Sequence, residues 1–218
     1  MRLKLFSLDS KFMRAMSMLG DLMLLNLAFL LCCLPLVTIG ASAAALYTAA
    51  FCMSRGTEGR LLTVFFRAFR QNLRRGIPLW LLLALAGGVA VLDIIIFSGG
   101  SGGLRLIELP FMLLLLLAVF TAGYAFPLLS QFDNTVVGTL KNALFLSLGY
   151  LPRTLAVTLL NVFPFALLLT DLYLFLSVGF LWVFLYFSAA AYWNARLLEK
   201  VFAPYREAET DDKKENTP

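Results

Sequence analysis

Between Leu19 and Met53 lie 35 residues without one lysine or arginine. A bilayer core is crossed once by about 20 apolar residues, so this stretch is too long for one helix and close to the length of two. Pro35 and Gly40 punctuate it, and such residues mark turns. The spacing predicts a hairpin of two spans at about 18–36 and 39–54, with residues 37–54 either a full span or a re-entrant segment. Ala41-Ser42-Ala43 could also be a secretory cleavage site. Cleavage there would leave the new N-terminus outside and, if residues 44–54 did not span again, the basic stretch Arg55 to Arg75 as well, against the cytoplasmic bias of lysine and arginine.

The rest of the chain agrees with lipid as its solvent. Of 218 residues, 61% are apolar and 14% charged, whereas soluble domains carry about 25% charge. A soluble fold would lack polar side chains to cover its surface. The net charge of +5 is clustered, as expected of residues that orient a membrane protein, and nucleic acid is not an expected partner. Histidine is absent, which removes the commonest metal ligand and general base. Cys32, Cys33 and Cys52 lie in apolar runs with no metal or disulfide spacing. GRLLTVFF and SGGSGG lack the lysine of a phosphate loop. No nucleophile, base and acid assemble, so the chain is read as non-enzymatic, without cofactor or metal.

Arg60 to Arg75, RLLTVFFRAFRQNLRR, is amphipathic. At 100° per residue Arg60, Thr63, Arg67, Arg70, Gln71, Arg74 and Arg75 share one arc, and Leu62, Phe65, Phe66, Phe69 and Leu73 the other. The pattern predicts a helix lying flat in the interface, arginines toward water and lipid phosphates. Gly76 to Phe97 follows as a span, with Ala84 and Gly88 placed for close approach of a neighbour. SGGSGG is a turn, and Ile107 to Leu129 a span. Gln131 to Thr154 reads as a second interfacial helix ending at Gly149 and Pro152. Leu155 to Leu169 and Leu174 to Asn194 complete the spans, turned at Thr170-Asp171. The fold class is therefore all-α, a polytopic bundle of about six spans, five being the alternative, plus two interfacial helices. Residues 1–204 form one membrane domain, and 205–218 a disordered charged cytoplasmic tail. With both ends in the cytoplasm, 17 of the 18 cations fall on one side, Arg105 being the exception.

Candidate functional residues divide into two sets. Arg67, Arg70, Arg74, Arg75, Lys141 and Asn142 are the interfacial or partner-binding candidates. Asp21, Asn26 and Asp93 are polar groups in or near spans, where an ionisable side chain is a functional candidate by default; Asp133 is a further acid near the spans, Asp93 and Glu108 fall near helix ends, and Asp171 in a turn. In the second span Ala41, Ala45 and Ala49 stack for close helix packing. An interfacial helix followed by two spans occurs twice, from Arg60 and from Asn134, a faint repeat that carries no function.

LCCLPLVTIGASAAALY (Leu31–Tyr47), FFRAFRQNLRRG (Phe65–Gly76) and FDNTVVGTLKNALFLSLGYLP (Phe132–Pro152) together resemble the YesL family of bacterial membrane proteins. The resemblance implies a multi-pass protein of the bacterial cell membrane, accessory to carbohydrate uptake or utilisation, with membrane lipids and a sugar permease as expected partners. Gly138 to Pro152 also resembles the cytoplasmic coupling helix of binding-protein-dependent permeases, though no Glu-Ala-Ala precedes it; on that alternative the chain is itself a permease-like component.

Overall fold

The computed structural model describes residues 5–56, 60–97 and 105–215, and among them every regular element is helical. In chain order these are α1 (Leu5–Cys33), a 3₁₀ turn (Leu36–Thr38), α2 (Ile39–Ser54), α3 (Leu61–Phe97), α4 (Arg105–Gln131), α5 (Val136–Gly149), α6 (Leu151–Thr170), α7 (Leu172–Ser177), the single turn α8 (Gly179–Leu181), a π segment (Trp182–Tyr186) and α9 (Phe187–Glu215). Among the described residues five helices are long and apolar enough to cross a membrane, with windows at Met16–Cys33, Leu36–Ser54, Leu61–Ile96, Leu109–Gln131 and Leu151–Thr170. The chain is a polytopic helical bundle.

The break at Pro35 is where the sequence places it, but the chain does not reverse there. Asn26 of α1 meets Trp182, Val183 and Ser188, and Phe29 packs on Phe187. On α2, Tyr47 reaches Asn194 and Phe51 packs on Phe202. As the chain advances through α1 and α2, its partners advance along the rod from Trp182 to Phe202, so both helices run in one direction. The expected hairpin of two spans is instead one traverse with a jog. Thr38 holds that jog, its hydroxyl donating to the Cys32 and Pro35 carbonyls.

A second correction concerns the arginine segment, which is not a separate interfacial helix but the first part of α3, 37 residues long. Leu61, Phe65, Ala68, Leu79, Leu83 and Ala90 are its buried apolar positions. They keep one helical phase through Gly76 and Pro78, so a single buried stripe spans both halves. Pro78 removes one backbone donor, which membrane helices tolerate. Gly76 permits contact with α2: a Cβ there would lie 2.7 Å from the Ala41 nitrogen and 2.8 Å from its Cα, and one on Gly40 would overlap the Gly76 carbonyl. The close approach expected at Gly88 is absent, since a Cβ there meets nothing within 4 Å. Ala41, Ala45 and Ala49 are fully buried, as their stacking predicts.

α5 and α6 also make one traverse. Asn142 and Leu146 border the same cleft as Leu128 of α4, Thr154 bonds Tyr124 at 3.2 Å, and Val157 faces Gly123, so partners retreat along α4 across the joint at Tyr150. The Thr170-Asp171 turn forms as expected, Asp171 accepting from the Leu174 amide at 2.9 Å. The segment expected as one span, Leu174 to Asn194, is divided among α7, α8, the π segment and the start of α9. α9 continues to Glu215, across most of the expected tail; 216–218 and the SGGSGG turn lie outside the described residues.

Five traverses result: α1 with α2, α3, α4, α5 with α6, and α7 through α9. The start of α1 and the end of α9 therefore lie at opposite ends of the bundle, not at the same end as the six-span reading requires. Along its length the bundle has two layers. In one, large apolar side chains face outward: Leu85, Leu92 and Ile96 on α3, Leu109 and Leu113 on α4, Leu159 and Leu169 on α6. In the other lie α2, the arginine half of α3, the end of α4, α5 and most of α9, with the charged groups outside and the core cluster around Phe51, Phe65 and Phe202 inside.

Candidate functional site

The charged layer is tied together by a carboxylate that the sequence did not single out. Glu199 on α9 pairs with Arg55 after α2 at 3.1 Å and with Arg206 one helical face further on at 2.7 Å. Arg55 also reaches the Gln131 side chain at the end of α4. Partial burial alone would push the Glu199 carboxyl upward, but hydrogen bonds from Arg55 and Arg206, with their charges, outweigh it and hold the group below the usual carboxylate range. The ends of α2 and α4 are thus fixed to the middle of α9 by one charged joint, and nothing in sequence links Arg55 to Glu199.

Beside it a polar cleft of about 480 Å³ opens between α2, α3 and the segment after α4. Thr48, Gln71, Asn72, Arg74, Arg75, Ser130, Gln131 and Asp133 line it. Arg75 bonds Asp133 at 2.8 Å, but Asp133 is 92% exposed, so the pair adds little stability and serves to neutralise Arg75. Asn72 donates to the Ala68 carbonyl. Among the described residues Arg67, Arg70 and Arg74 have no acidic or hydrogen-bonding partner. Arg74 enters the cleft, while Arg67 and Arg70 stand exposed on the outer face of α3. The face therefore presents cationic hydrogen-bond donors, the chemistry that grips a carboxylate or phosphate.

Of the other candidates, Lys141 is exposed on α5, and Asn142 borders a second cleft of about 280 Å³ with Phe132, Asn134, Phe145 and Tyr205. α5 starts at Thr135, whose hydroxyl caps the Gly138 amide, and it shows Val137, Phe145 and Leu148 to the outside. The structure does not bring α5 together with the exposed arginines into one pocket. Asp21 and Asp93 are half-buried and line neither cleft.

Asn26 has a structural task. It is fully buried, its amide donates to the Trp182 and Val183 carbonyls at 2.9 and 2.6 Å, and its oxygen accepts from the Ser188 amide at 2.9 Å. A π segment shifts the backbone ladder by one residue, and Asn26 satisfies the groups left over. A second buried polar group joins Tyr47, Asn161 and Asn194, with Asn194 donating to the tyrosine hydroxyl at 3.1 Å and to the Asn161 oxygen at 3.0 Å. Asn161, midway along an apolar helix, is the one sequence signal that could have pointed to it.

Residues 22–94, from α1 through most of α3, match a family described as "protein of unknown function, DUF624". No curated protein and no solved structure matches the chain.

Proposed function

We propose that this chain is a non-enzymatic accessory protein of the bacterial cell membrane, held by its apolar layer and engaging a membrane partner through its cationic layer. The partner we favour is a sugar permease, as the YesL resemblance implies. The observation that carries the reading is the row Arg67, Arg70 and Arg74, without a partner among the described residues, on the arginine half of α3. A charge left solvated beside a neutralised neighbour such as Arg75 is available to an acidic surface. The family match supports the reading in one respect: it covers two of the three blocks that carry the resemblance, Leu31–Tyr47 and Phe65–Gly76. On the positive-inside bias the cationic layer and the end of α9 face the cytoplasm.

The test is purification of the tagged full chain in mild detergent after crosslinking in cells. A stoichiometric permease should be recovered, and replacing Arg67, Arg70 and Arg74 together with Gln should deplete it about tenfold or more while leaving insertion intact. Repeated recovery of the chain alone rejects the proposal.

One observation favours the alternative, a permease-like component. α5 is a capped short helix in the cationic layer, the first part of the traverse that α6 completes, with Val137, Lys141, Phe145 and Leu148 exposed, as a helix gripping a cytoplasmic ATPase requires. Vesicles containing this chain as sole membrane component, with an ATPase subunit added, would then accumulate labelled oligosaccharide.

A further inference from the structure

Where α1, α2, α4, α6 and α9 meet, the bundle is not closed. A cavity of about 370 Å³ lies there, within the range that holds small molecules. Its walls are apolar, supplied by side chains such as Phe29, Leu46, Phe126 and Phe187, with Ala122 and Ala190 leaving the room. Among the described residues no Lys, Arg, Asp or Glu lines it, so a charged ligand would enter without a counter-ion. Three polar side chains line it, Tyr47, Asn161 and Tyr186. The Tyr186 hydroxyl donates to the Leu160 carbonyl, and Tyr47 and Asn161 each accept from the fully buried Asn194. Tyr47 and Asn161 thus put neutral polar groups among apolar walls, where a ligand with a neutral hydrogen-bonding group of its own is favoured over a hydrocarbon.

We propose that this cavity is a binding site for a neutral, membrane-soluble alcohol, whose chain occupies the apolar part and whose hydroxyl bonds to the Tyr47 and Asn161 side chains. The hydroxyl both donates and accepts, as do the tyrosine hydroxyl and the asparagine amide that line the cavity. A hydrocarbon would fill the volume and offer these groups nothing, and a fatty acid would bring a charge that nothing in the lining neutralises. The same chemistry belongs to a free long-chain alcohol and to the hydroxyl of a diacylglycerol.

The experiment uses the purified full chain in lipid nanodiscs and three photoreactive probes of one chain length: a primary alcohol, its methyl ether and a diacylglycerol. Crosslinked peptides are mapped by mass spectrometry. The alcohol should label cavity-lining segments of α4 and α6 about tenfold more than the ether, the ratio that one good hydrogen bond supplies. Equal or stronger labelling by the diacylglycerol would assign the site to lipid; labelling by the alcohol alone would assign it to the free molecule. Asn161→Leu should abolish the preference for alcohol over ether. Because that variant also removes a structural bond, Ala122→Leu provides a second arm, filling the cavity from its apolar side with every hydrogen bond intact. Labelling should fall while the melting temperature holds. Equal labelling by alcohol and ether, or labelling that survives Ala122→Leu in a folded protein, overturns the proposal.

Discussion

At the scale of single residues, buried polar groups outside the charged layer join helices that would otherwise have only greasy contacts between them. Apolar side chains gain little by exchanging lipid for one another, so helices in a membrane are specified by close packing and by hydrogen bonds between them. Asn26 makes three such bonds to one neighbour. Asn26→Leu should keep the volume and strand two carbonyls and an amide, lowering stability by on the order of 2–3 kcal/mol; unfolding in mixed detergent micelles measures it, and a change under 0.5 kcal/mol would remove Asn26 from this role. Glu199 acts in the same manner but through charge. Its carboxyl is held below its ordinary value of 4.5, so the folded state binds its proton less readily than the unfolded state. The stabilisation is therefore complete above about pH 4.5 and is lost as pH falls through the lower folded value. With side chains about one third exposed, it amounts to on the order of 1 kcal/mol. Thermal melts from pH 7 down to pH 3 should show a step in the natural chain that Glu199→Gln lacks, the variant being uniformly less stable at neutral pH.

At the scale of elements, the sequence spoke clearly about what is helical and ambiguously about where helices stop. Apolar periodicity and turn residues located α4, α5, α6, the bend at Pro35 and the Thr170-Asp171 turn, because those depend on local chemistry. Gly76 misled: read locally it ends a helix, whereas in the bundle it lets α3 touch the backbone of α2. Nothing in residues 60–97 alone distinguishes these uses, since the decisive partner, Gly40, belongs to another helix. Tyr47, Asn161 and Asn194 stayed hidden for the same reason, as did Glu199 with its two arginines. The distinction can be tested at two glycines of one helix. Gly76→Val should push α2 off α3 and cost on the order of 3 kcal/mol, as overpacking does. Gly88→Ala faces open space and should be neutral or stabilising by up to about 1 kcal/mol. If the two behave alike in the same unfolding assay, the close contact of α2 with α3 is wrong.

At the scale of the whole molecule, the length of α3 sets the arrangement of everything else. Its 37 residues extend about 55 Å, against a hydrocarbon core of about 30 Å, so a large part of it stands outside lipid. The arginine half is the part that can, and α2 packs along that half, from Gly40 against Gly76 to the shared cluster of Phe51 and Phe65. α2 thus packs on the arginine half of α3 although its composition would let it cross alone, and the chain traverses the bundle an odd number of times. The described cations from Arg60 to Arg75 and from Arg196 to Arg206 lie in the charged layer, a bias strong enough to orient the protein. We predict from this threading that the start of α1 and the end of α9 face different compartments. Protease-cleavable tags fused before Met1 and after Pro218 should be cut from opposite faces of sealed membrane vesicles, the C-terminal one from the cytoplasmic face. Cleavage of both from one face would restore the even count, make the jog at Pro35 a true hairpin, and require the arginine half of α3 to separate from α2.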